Sequence, residues 1–157
     1  MPEPKLTLLP FCDELAHDFY AINAEWITQM YALEDHDRYV LENPQATIID
    51  KGGVILFVKS RQLGIIGTCA LKPDATGWIE LTKMGVLNAA RGQKAGEFLL
   101  RAAIDHAHKS GWAERLYLLT NRKSQAAIHL YRKNGFVEDG EIMDRFGPQY
   151  HRCDVAM

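Results

Sequence analysis

The stretch VLNAARGQKAGEFLL, residues 86–100, ends a strand, crosses a short basic turn and enters an amphipathic helix. The turn is Arg91-Gly92-Gln93-Lys94-Ala95-Gly96. Gly92 and Gly96 remove side chains where an anion would need close approach, while Arg91 and Lys94 add charge. A helix start exposes N–H groups without partners in the chain, and the helix dipole adds positive potential there. The turn therefore reads equally as an anion site or as a helix start that happens to be basic.

Working outward, Ala95, Phe98, Leu99, Ala102, Ala103 and His106 mark one helical face that ends near Ser110-Gly111. A buried strand with LYLL at its centre follows. Ala127, Leu130, Tyr131 and Asn134 then line another helix, closed by Gly135. Phe136-Val137 restarts an extended segment, and residues 150–157 read as a last strand. Before the turn, residues 78–87 form a strand. Simple alternation places Glu80, Thr82, Met84 and Val86 on one face of it, with Ile79, Leu81 and Lys83 on the other. Gly85 predicts a bulge or a close approach by something else.

Further back, VILFVKS and GIIGTCAL make two antiparallel strands, and PDATG is a turn. Leu15, Phe19, Ile22, Trp26 and Met30 have helical spacing, and a more acidic helical piece runs to Asn43-Pro44. Residues 6–10 supply a first strand. Antiparallel strands followed by alternating strands and helices predict a mixed α/β (α+β) architecture, a mixed sheet covered by helices.

Composition limits the function classes. With 157 residues, 47% hydrophobic and 24% charged, the chain is expected to be one domain, 1–157, with a sizeable core. A net charge of −2 argues against a nucleic-acid partner, and no apolar run is long enough for a membrane partner. The first residues lack a basic segment followed by a long apolar one, so no secretory signal is expected. Cys12, Cys69 and Cys153 match neither a disulfide framework nor zinc spacing, which suits reduced thiols in a cytoplasm. The six histidines form no metal constellation. Neither a Walker A string nor a G-x-G-x-x-G fingerprint occurs, so any phosphate ligand is of another kind.

The string ELTKMGV at 80–86, then ARGQKAGEFLL, then AAIHLYRKNGF resembles the GCN5-related N-acetyltransferase (GNAT) superfamily. Its pyrophosphate signature, Arg/Gln-x-x-Gly-x-Gly/Ala, is similar to residues 91–96. The resemblance implies a mostly antiparallel sheet of about seven strands, splayed after the fourth and flanked by about four helices. It implies acetyl-CoA as cosubstrate, with Arg91, Gly92, Gln93, Lys94, Ala95, Gly96 and Glu97 holding its diphosphate. The pantetheine arm would pair like an extra strand with Met84, Gly85 and Val86, and Asn121 is a further cofactor-side candidate. Two departures stand out. Lys94 occupies a usual glycine position: a positive φ there would strain it by about 1 kcal/mol or more. Otherwise its ammonium adds a phosphate contact, which the retained Gly96 favours. Ser124 replaces an asparagine that often contacts the cofactor, and it equally suits a helix cap.

The implied reaction is direct attack of an amine on the thioester. An alkyl ammonium of pKa about 10.4 must lose a proton, at a cost of roughly 4.6 kcal/mol at neutral pH. Glu80 is the candidate base, through water or with a raised pKa, although it equally suits a solvent-facing strand end. Tyr131 matches the tyrosine that protonates the departing sulfur, or else belongs to the core face with Ala127 and Leu130. The Val86 N–H is the candidate for the oxyanion. Arg122, Lys123, Arg132 and Lys133 either reach the ribose phosphate or form a solvated basic surface. The acceptor pocket is expected from Trp26, Tyr31, Glu34, Asp35 and Asp37, closed by residues 147–150; the acidic groups either attract a cationic amine or are simply solvated. Partners implied are a small-molecule or peptide amine and, as is common among relatives, a second copy of the chain. The alternative is a module that senses acetyl-CoA without turning it over.

Overall fold

The computed structural model describes residues 5–157. Six strands form one sheet in chain order: β1 (Leu6–Pro10), β2 (Val54–Ser60), β3 (Gly64–Pro73), β4 (Ile79–Val86), β5 (Leu116–Thr120) and β6 (Val155–Ala156). Every neighbouring pair is antiparallel except β4 and β5. A parallel pair needs a crossover, and it is supplied by α3 (Ala95–Lys109).

The helices divide between two faces. Leu99, Leu100 and Ala103 of α3 pack with Ile128 of α4 (Gln125–Lys133) over Val58, Cys69, Leu71 and Leu118. On the opposite face, Phe19 and Ile27 of α1 (Ala16–Met30) meet Val40 and Leu41 of α2 (Asp35–Glu42) over Ile55, Phe57 and Ala70. A π-helical turn, Gln45–Ile49, then leads into β2 and buries Ile48.

The mixed, mostly antiparallel sheet flanked by helices is as expected, and only its last part differs in detail. The sheet has six strands rather than about seven, because Phe136-Val137 does not enter it and only Val155–Ala156 of the last segment pairs. A fifth helix, α5 (Gly140–Phe146), fills that stretch. Asp139 starts it by accepting from the Glu141 and Ile142 amides, and Phe146 stacks on Tyr117 with ring centroids 4.0 Å apart.

Strand β4 departs from simple alternation. Thr68 faces Gly85 while Ala70 faces Thr82, so Cys69 alone opposes Lys83 and Met84. Lys83 absorbs this bulge at φ +52°. The bulge, expected at Gly85, therefore lies just before it and flips the pleat. Glu80, Thr82, Lys83 and Gly85 face α1 and α2, whereas Ile79, Leu81, Met84 and Val86 pack toward α3. Glu80 and Val86 do not share a face.

Candidate active site

Strands β4 and β5 pair only over Ile79–Leu81 and Leu116–Leu118, then part. A cleft of about 380 Å³ opens at the parting, between Thr82, Met84, Thr120 and Tyr131. The Leu87 N–H donates to Ile66 O across β3, so alternation turns the Val86 N–H to the other edge, which β5 has left. The arrangement offers an extended ligand a strand edge to lie along.

The 91–96 turn stands at one end of this seam, and Arg91 lines the cleft. Gly92 needs its glycine, with φ +89°. Lys94 is also left-handed, at φ +59° and ψ +27°, so the strained arrangement is the one present. Among the described residues no side chain caps α3, which leaves the Ala95, Gly96 and Glu97 amides open to a ligand. Gly96 has no steric demand of its own, since an added Cβ would meet Leu130 at an ordinary 3.8 Å. The Glu97 carboxylate points away from the turn, to Arg101 and Lys133. Backbone N–H groups, Arg91 and Lys94 together form a donor set that fits a diphosphate.

The object that approaches Gly85 is the indole of Trp26. A Cβ there would sit 2.2 Å from Trp26 Cδ1. Asn23 holds the ring by accepting its Nε1–H at 2.9 Å, and the Asn23 amide in turn donates to Phe19 O.

Tyr131 lies in the cleft wall at 9% exposure, packed edge-on to Phe136. Its hydroxyl makes no hydrogen bond among the described residues, and burial pushes its pKa well above the usual phenol value. Glu80 is neither solvent-facing nor in the cleft. It is 3% exposed behind Tyr150, whose hydroxyl donates to Glu80 Oε2 at 3.3 Å. Burial raises the Glu80 pKa, opposed by the nearby Lys83 and Lys72 ammoniums.

Tyr150 joins Glu80 to a buried ionic network. Lys83 Nζ donates to the Tyr150 hydroxyl at 3.1 Å and to Asp37 Oδ1 at 2.8 Å. Asp37 also accepts both terminal nitrogens of Arg152, at 2.6 and 2.8 Å, and the Glu34 amide. Desolvation opposes its ionisation, but Arg152 and Lys83 hold its carboxyl well below the usual range. Burial lowers the Lys83 pKa in turn. Glu34 accepts from Arg152 and from the His151 amide. Glu34 and Asp37 are thus neither solvated nor free to meet a cationic acceptor. Asp35 stays exposed, paired with Arg38.

Asn121 and Ser124 line the cleft, and they and the basic candidates also hold contacts within the chain. Asn121 donates to Arg152 O and accepts the Lys123 amide, so it braces the loop after β5. Ser124 begins α4 by position but does not cap it; its hydroxyl hydrogen-bonds Tyr31 at 2.8 Å. Arg122 and Arg132 pair with Glu138, and Lys133 with Glu97. Lys123 reaches the opposite way, donating to Met30 O. Sequence reasoning missed Lys83 and Arg152, whose partners lie 46 and 115 residues away. A lysine in mid-strand is the one local signal. Among the described residues no group of acids, histidines and cysteines suits a metal, and no helix is long and apolar enough to cross a membrane.

The family model described as Acetyltransferase (GNAT) family matches residues 10–136. Among solved structures, an acetyltransferase of the GNAT family from Staphylococcus aureus Mu50 superposes with a TM-score of 0.81 at 21% identity, covering 96% of each chain. A predicted acetyltransferase from Clostridium acetobutylicum, solved with acetyl-CoA, gives 0.69 at 15% identity, covering 93% of this chain and 99% of that one. A spermidine N-acetyltransferase chimera involving Vibrio cholerae gives 0.65 at 22%, covering 87% and 83%. These likenesses establish the fold.

Proposed function

The chain belongs to the GNAT acetyltransferase family, whose members use acetyl-CoA, and from that premise we propose that it acetylates a primary amine by direct attack within a ternary complex. The observation that carries the proposal is the parted β4–β5 seam, with open α3 amides at one end and Tyr131 in its wall. Acetyl-CoA supplies the acetyl group as a thioester. The Ala95, Gly96 and Glu97 amides with Arg91 hold its diphosphate, and the free edge of β4 orients its arm.

The amine nitrogen forms the C–N bond as the C–S bond breaks, and the hydrogen leaving nitrogen balances the one gained by sulfur. The Val86 N–H donates to the carbonyl oxygen as charge develops there. Proton removal runs through the Tyr150 hydroxyl. Lys83 occupies one of its two lone pairs and the other accepts from the amine, while its own hydrogen passes to Glu80. Burial makes Glu80 a better base than a free carboxylate, which narrows the gap to the ammonium. Tyr131 serves the other end. Burial weakens it as an acid, but the same desolvation destabilises a thiolate in the same wall, so the two stay matched.

The test is a panel of amines with acetyl-CoA, read by free-thiol release and by the mass of the acetylated product. Transfer to at least one amine is expected. Coenzyme binding by calorimetry with no transfer to any amine would support the sensing alternative.

A further inference from the structure

Among the described residues the charged side chains lining the cleft are Lys83, Arg91, Lys123 and Arg152, with no aspartate or glutamate. We infer that the acceptor amine also carries a carboxylate, as an amino acid does. The inference rests on the acetyl-transfer reading above and adds its substrate class.

The charges can be followed one by one. Arg91 stands at the turn, where the diphosphate is placed. Lys83 and Arg152 are met from behind by Asp37 and Glu34, so the two acids are spent inside the wall. Lys123 has no carboxylate partner among the described residues. Its Nζ donates to Met30 O at 2.7 Å and lies 4.9 Å from the Tyr31 ring centroid. The Arg152 guanidinium lies over the same ring at 5.7 Å, so two cations attend one aromatic side chain. Three of the Arg152 hydrogen bonds go to Asp37 and Glu34, which leaves part of its donor fork for a ligand.

This wall suits an anion and repels a second cation. A protonated polyamine would bring extra positive charge to a surface with no acid to receive it. An amino carboxylate instead sets its anion between Lys123 and the free edge of Arg152, and turns its nitrogen toward the seam. The buried acids thereby act as positioning residues: they fix Arg152 in its fork geometry without presenting charge to the substrate.

The experiment compares amino acids with their decarboxylated partners, for example phenylalanine with phenethylamine, and adds spermidine. The amino acid is expected to exceed its partner in kcat/KM by about tenfold or more. Lys123→Met should shrink that ratio about tenfold, through KM rather than kcat. Equal or better use of the decarboxylated amines or of spermidine overturns the inference while acetyl transfer stands. Coenzyme binding without transfer to any amine overturns both. A ratio unmoved in Lys123→Met removes Lys123 from acceptor recognition and overturns the assignment.

Discussion

Lys83 Nζ lies 2.8 Å from Asp37 Oδ1 with both side chains out of solvent, and it does so from a left-handed backbone at φ +52°. A lysine in that conformation costs about 1–2 kcal/mol, so the bulge persists because its side chain is anchored. The anchor is central to three elements, since Asp37 of α2 also holds Arg152 of the C-terminal segment. Asp37→Asn leaves the buried Lys83 without a carboxylate and the half-buried Arg152 with only Glu34. A loss of about 3–5 kcal/mol is expected, read as a lower midpoint of urea unfolding. A change below about 1 kcal/mol would mean that water already serves the network.

The same carboxylate sets an acid dependence. Asp37 is held below its unfolded value of about 3.9, so its stabilisation is complete above that pH and is lost as pH falls toward the folded value. Asn at this position has no such titration. The stability gap between wild type and Asp37→Asn should therefore narrow steadily below about pH 4. Glu80 shifts the opposite way but is present in both proteins, so it cancels from the difference. A gap that stays constant to about pH 2 contradicts the assignment.

Gly85 and Trp26 should behave as a coupled pair. Gly85→Ala places a methyl 2.2 Å from the indole, which must move. A cost of about 1–3 kcal/mol and a shifted tryptophan emission are expected. Trp26→Ala has its own cost, but the double variant should lose less than the sum of the two by about 1 kcal/mol or more. Additivity would show that the ring does not depend on the glycine.

How far the sequence carried the reading depends on the range of each signal. The 91–96 turn, Gly135 and the strand–helix alternation are local patterns that carry the family resemblance, and the seam which that resemblance implies is present. The short helix α5 had a signal too, in Asp139 followed by Glu141 and Ile142, but seven residues give weak periodicity. Gly85 signalled a bulge but not its place at Lys83, because lysine rarely adopts positive φ and gives no local sign of it. Its cause lies in Asp37, far along the chain. Glu80 shows the consequence: alternation assigned it to the wrong neighbours, since one inserted residue reverses every face beyond it.

Lys94 carries strain that a glycine would release. Lys94→Gly should raise stability by up to about 1 kcal/mol, the left-handed penalty offset by the freer unfolded chain. Acetyl-CoA affinity should move the other way, weakening several-fold as a phosphate contact is lost. Thermal unfolding and calorimetry measure the two separately. A variant that gains stability at unchanged affinity would make Lys94 a strained connector and nothing more.

Tyr131→Phe separates the chemistry from the packing. The ring keeps its edge-on contact with Phe136, centroids 6.0 Å apart, and no hydrogen bond is broken among the described residues. Stability should therefore hold to within about 0.5 kcal/mol. The lost hydroxyl is the proposed donor to the departing sulfur, so kcat should fall about 10²-fold or more while acetyl-CoA affinity stays within about twofold. A thiolate that leaves unaided is a strong nucleophile and returns to the acetyl group, so the deficit should shrink as the pH of the assay is lowered and solvent protonates the sulfur. Turnover equal to wild type would make Tyr131 a core residue whose hydroxyl merely borders the cleft.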